Sequence, residues 1–432
     1  MAEQALARRV LVAGKREATV LEQDGLRLVI DDEGGMVSEL SAFTDKGGRL
    51  NAHWNPWFRG LGGKPFDTAE HGAFWKARLL YQLAGNFPCL PSFGGDHLVD
   101  GIDMPAHGWT ANNRWCFLEK KVDKESGAAW ALSAMGSPER PMPLGFKKID
   151  MVIPGHPVHY TAIVVGNTGD RDIDISAGWH NTVGAPFLAP GCRYNGAGET
   201  WMTAPAGGEF DATSRLAMGE QFSSLTSVPL RNGTTADISV IPGPIGYTDF
   251  VTGAIPARAR IGWSAVVNPF LKMLYLCFFT GPAAAAADDI ILYFNELWMQ
   301  YGGRPFTPWA AYDGGTDLTY CLGTENVVSA YAYGLDYSRK AGTLLGNPTT
   351  VTIPAGGIKT LRYATLFTPY TDTALDNGVS SLNPTGGGIV AAARNGGQAF
   401  TADWEFKLLK KIEKGSYHAD LGGGERTGKT RV

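Results

Sequence analysis

The sequence is short of cysteine and short of long apolar runs. Five cysteines (Cys89, Cys116, Cys192, Cys277 and Cys321) are scattered through 432 residues. They show neither the CxxC or Cys/His spacing of a metal knot nor the even count of a disulfide framework, so reduced thiols and no metal are expected. The longest apolar run, Met273 to Phe279, falls far short of the ~20 residues a membrane helix needs. The first twenty residues contain no apolar signal core, and a cytoplasmic protein with no membrane partner is the expectation. Charge of one sign is lacking too. With 38 basic and 42 acidic residues the net charge is −4, which gives no basic field for nucleic acid. No repeat of 20 to 50 residues is visible, which argues against solenoids and propellers.

Glycine and proline are plentiful: 56 and 25 residues. Both punctuate turns and weaken helices, so the composition leans all-β. Asp24-Gly25 between two β-prone runs signals a tight hairpin. "VHYTAIVVGNTGDRDIDISAGWH", residues 158 to 180, reads as an antiparallel pair turning at 167–170 and ending on a histidine. Later aromatic and β-branched segments bring the expected strand count to at least ten. Two sheets packed face to face, a large antiparallel β-sandwich, are the economical architecture. Residues 1–370 form the expected domain, and 371–432, which turn glycine-rich and then basic, a C-terminal extension with a frayed end. Ala283 to Ala287 reads as a loop or one helical turn.

Three motifs are set aside. "GGGERTGKT" has the spacing of a phosphate-binding loop, but two residues after Thr430 leave no room for the helix that would hold the phosphate. His156 and His159, three apart on a strand, point to opposite faces. The sequon at Asn232 has meaning only for a secreted chain.

"PAHGWTANNRW", "ISAGWHNTVGAPF" and "YCLGTENVVSAY" each set one ionisable residue, His107, His180 or Glu325, among aromatic or small residues at a strand end or turn. These residue types also fill ordinary cores, so only the fold can bring them to one site. Their chemistry is complementary. A glutamate ionised at neutral pH and a partly protonated histidine can take a proton from one sugar oxygen and deliver one to another. That suits opening and reclosing a cyclic hemiacetal without cofactor or metal. The tryptophans, Trp109 among them, either stack on a sugar or pack between sheets.

In their order the three stretches resemble segments of the galactose mutarotase-like superfamily, which includes aldose 1-epimerases and hexose-phosphate mutarotases. The resemblance spans roughly residues 18 to 370. It implies a mutarotase-type β-supersandwich acting on a small-molecule sugar, with His180 as general acid, Glu325 as general base and His107 on the ring. Arg59, Arg114, Trp109 and Asn181 are candidate substrate contacts. The chain departs from the family pattern where Thr110 to Asn113 separate histidine from arginine, and where Asn181 and Asn326 follow the acid and the base. Two other functions fit the same residues: a noncatalytic carbohydrate-binding protein, and a lyase or epimerase acting at another carbon.

Overall fold

The computed structural model describes residues 5–12, 15–60, 64–137 and 141–416. Its strands build two broad antiparallel sheets, with a five-stranded N-terminal meander on one flank. The Asp24-Gly25 turn joins two meander strands in register, Gln23 opposite Leu26, and both turn residues take positive φ. Leu28 and Leu40 of this meander enter the core shared by the two broad sheets.

The first broad sheet has eight strands. Its strands lie in the order Arg193–Gly196, Ile261–Asn268, Met273–Thr280, Ile358–Pro369, Val158–Asn167, Leu144–Val152, Ala129–Gly136 and Cys116–Val122. Side chains alternate across a strand. In the run Met273–Phe279, Tyr275, Cys277 and Phe279 therefore face the second sheet, while Leu274, Leu276 and Phe278 face away. A run apolar on both sides is a strand buried on both sides. Residues 371–416 supply the second cover: strands Ser381–Thr385, Gly388–Ala393 and Gly396–Thr401 with helix Lys407–Ser416. Phe406 and Leu409 are fully buried against the outer face. Residues 423–430, with the phosphate-loop spacing, lie outside the described residues.

The pair expected within 158–180 does not form. Val158–Asn167 pairs with Leu144–Val152 and Ile358–Pro369, whereas Ile173–Ile175 pairs with Val351–Ile353. Turn signals mark where a chain reverses, but the partner is set by which apolar faces meet. The second sheet, also of eight strands, orders Gln221–Phe222, Thr200–Thr203, Tyr247–Ala254, Phe294–Tyr301, Tyr320–Val328, Ala177–His180 and Phe87–Cys89, with Thr182–Gly184 paired to Tyr320–Val328 off this path. One face meets the first sheet through Trp179, Leu297 and Leu322. The other carries an aromatic cluster that includes Phe87, Phe250 and Trp298. No helix among the described residues is long and apolar enough to cross a membrane.

Candidate active site

Strand alternation puts His180 and Glu325 on the aromatic face. Trp179 packs between the sheets, so its neighbour His180 turns the other way. Asn326 accepts a hydrogen bond from Tyr363 of the first sheet, which sends the adjacent Glu325 to the same side as His180. The strands Ala177–His180 and Tyr320–Val328 are paired, Trp179 opposite Asn326. His180 Nε2 and Glu325 Oε1 are 2.9 Å apart.

The imidazole is held on every side. Nδ1 meets Thr182 Oγ1 at 3.0 Å, the ring stacks on Phe87 with centroids 4.6 Å apart, and the steeply inclined Trp298 ring has its centroid 5.9 Å away. His107 stands perpendicular to His180 at 4.8 Å. Its backbone is left-handed, φ 58°, and its N–H donates to Gly94 O at 2.7 Å. Gly108 follows at φ 73°, where a side chain would strike the Leu90 carbonyl; only glycine fits there. His107 Nδ1 is buried without a partner among the described residues.

These three side chains line a cavity of about 620 Å³, walled also by Phe87, Trp298 and Trp309. Four other expected contacts lie elsewhere. Arg59 is buried with Asp31, its Nε donating to Gln82 O at 3.2 Å. Arg114 pairs with Glu17 and Asp32 on the meander flank. Trp109 is 2% exposed and belongs to the core. Asn181 lies between the sheets, where Nδ2 donates to Thr324 O (3.1 Å) and Tyr363 OH (2.6 Å) meets it as well. Arg59, Arg114 and Asn181 are engaged by partners within the protein, and Trp109 is packed in the core; none of the four lines the cavity. Arg304 and Glu209, missed in the sequence, do line the cavity. The "GGRPFTPW" loop that carries Arg304 offers a signal, an arginine set among glycine, proline and aromatics.

Burial also changes the charges expected from sequence. It lowers His180 to about 3 and raises the Glu325 carboxyl well above the usual range, with Glu209's charge adding to the rise. His107 is held well below its ordinary value by burial and by His180. Both members of the pair, 2.9 Å apart, are pushed toward their uncharged forms by burial. Directly opposite Glu325 in the ladder is Glu296, fully buried, with Oε1 accepting from Thr252 Oγ1 at 3.1 Å and Oε2 without a hydrogen-bond partner among the described residues. No group of three His, Cys, Asp or Glu among the described residues is placed to hold a metal ion.

No family profile and no curated protein matches this sequence. Solved structures do. A protein from Klebsiella pneumoniae that carries the provisional name aldose 1-epimerase superposes with a TM-score of 0.60 at 16% identity, covering 86% of this chain and 84% of that one. A galactose mutarotase-like protein from Clostridium acetobutylicum gives 0.54 at 12% identity, covering 85% and 99%. The chain has the galactose mutarotase-like fold. In this mutarotase-like sandwich the cavity opens on the face of the second sheet that turns away from the first.

Proposed function

We propose that the protein interconverts the anomers of a sugar by general acid/base ring opening at His180 and Glu325. The observation that carries this reading is the 2.9 Å contact between two ionisable groups, both under 10% exposed, in the wall of a cavity of about 620 Å³. The cavity lies within the range that holds small organic ligands. Glu325 takes the anomeric hydroxyl proton as His180 delivers one to the ring oxygen. The bond from the anomeric carbon to the ring oxygen breaks, leaving the open aldehyde. Rotation about the adjacent carbon–carbon bond and reclosure, with both proton transfers reversed, give the other anomer.

Opening and closing therefore pass one proton back and forth across the pair, and the pair's net charge is unchanged throughout. Burial in the sugar-free cavity favours the proton on Glu325; the hydroxyls of a bound sugar supply dipoles that support the imidazolium–carboxylate form. His107, with a buried and unpartnered Nδ1, is the proposed ring contact. One-dimensional proton spectra of pure α-sugars, recorded with and without the protein, test the reading. Accelerated equilibration of at least one sugar is expected. Tight binding with no acceleration would instead identify a carbohydrate-binding protein.

A further inference from the structure

The cavity wall carries a second charged couple, Arg304 and Glu209. Arg304 Nη2 donates to Glu209 Oε1 at 2.7 Å. The guanidinium lies over the Trp309 ring at 4.7 Å and over Trp298 at 5.7 Å, while Asp317 Oδ2 accepts the Arg304 backbone N–H at 3.1 Å. The Arg304 side chain is 8% exposed and that of Glu209 48%. A guanidinium has five N–H donors in a rigid fork, and among the described residues Glu209 is its one side-chain acceptor. Trp298 meets His180 edge to face, with ring centroids 5.9 Å apart, and carries Arg304 over its own ring, so a single indole touches both couples. In the same wall the Thr307 hydroxyl is buried without a partner among the described residues.

We propose that Arg304 and Glu209 form a hydroxyl-reading couple that selects a neutral, polyhydroxylated sugar over one bearing a phosphate or carboxylate. The inference rests on the sugar-site reading above and adds the substrate class. A fixed donor beside a fixed acceptor matches a hydroxyl pair, in which each oxygen accepts one hydrogen bond and donates another. The arginine's charge is already balanced. An anionic substituent reaching it would meet Glu209, with Asp96 also on the cavity wall, and like charges repel strongly where water is scarce. Lys76 and Arg78 also border the cavity. Lys76 Nζ donates to Ala73 O at 2.8 Å and Arg78 reaches Asn113 Oδ1 at 3.4 Å; capture of an anionic group by these two is the competing outcome.

Calorimetric titration of the full chain with aldohexoses, their 6-phosphates and their uronic acids tests the couple without relying on turnover. The neutral member of a series is expected to bind at least about tenfold more tightly than its anionic counterparts. Glu209→Gln, at a half-exposed position, leaves the arginine unbalanced and should narrow or invert that preference. Arg304→Gln should weaken the neutral sugar by roughly tenfold to a hundredfold, as expected for a lost charge-assisted hydrogen bond. A wild-type preference for anionic sugars, or an unchanged ratio in Glu209→Gln, overturns the proposal. Selective binding without anomer exchange would refute the proposed reaction and leave the couple standing; anomer exchange with an anionic preference would do the reverse. Binding of no sugar at all refutes both.

Discussion

Glu413→Gln is expected to lower the unfolding free energy by about 1.5–3 kcal/mol. Glu413, 2% exposed on helix Lys407–Ser416, accepts from Arg362 Nε at 2.9 Å and from Nη2 at 2.7 Å. Breaking a buried ion pair can cost about 3–5 kcal/mol. Asp288 and Asp289 remain on the same guanidinium, so the arginine is not left unpaired and the loss falls toward the lower end. Burial raises the Glu413 carboxyl although Arg362 pulls the other way, a sign that desolvation already consumes part of the attraction. Lys411→Gln on the same helix is the control, because the Lys411–Glu125 pair is 65% and 79% exposed and such pairs contribute little. The midpoint of urea unfolding, followed by tryptophan fluorescence, reads both variants. If Glu413→Gln leaves the midpoint unmoved, or Lys411→Gln shifts it equally, then the helix is not docked on the outer face of the first sheet as described.

Three further outcomes follow from burial. Alkylation of the native protein should modify Cys116, which is exposed, whereas Cys89, Cys192, Cys277 and Cys321 should react only after unfolding; burial pushes the Cys192 and Cys277 thiols up to about 11, and mass spectrometry gives the order. The Glu296 carboxyl is raised by burial and by Glu325, so its contribution to stability is present below the unfolded carboxylate value and is lost as pH rises. Glu296→Gln should therefore unfold at higher urea than wild type at ~pH 7 and match it near ~pH 4; identical pH curves would contradict that sign. In anomer exchange, the His180–Glu325 pair is competent while it holds one proton. Activity should fall at the acid end near pH 3, where the pair gains a second proton, and at the alkaline end as it loses the first; an acid limb near the ordinary histidine value would refute the burial effect.

The sandwich was legible in the sequence because strand signals are local. Asp24-Gly25 needs only two residues with positive φ, and aromatic or β-branched runs bounded by Gly or Pro mark strands without reference to their partners. Strand partners were not legible. Ile173 and Ile175 alternate as an exposed-edge strand should, yet nothing local says that Val351–Ile353 lies beside them. His180, Glu325 and His107 stand out through the residues around them, and the fold gathers all three in one cavity wall. Arg59, Arg114 and Asn181 were misplaced for one physical reason. A polar side chain looks available in a sequence until its partner, Asp31, Glu17 or Tyr363, arrives from a distant segment. Arg304 shows the converse, since its place over Trp298 and Trp309 depends on a turn after one strand and a loop before the next.

The most direct measurement is the rate of anomer exchange in Glu325→Gln and His180→Asn, on a sugar that the wild type equilibrates, with binding of that sugar measured alongside. A positioned acid or base contributes a factor of about 10² to 10⁴. Both variants are expected to lose at least a hundredfold in rate while still binding the sugar, because the cavity walls formed by Phe87, Trp298 and Trp309 remain. Wild-type exchange rates in both variants would contradict the assignment of proton transfer to this pair.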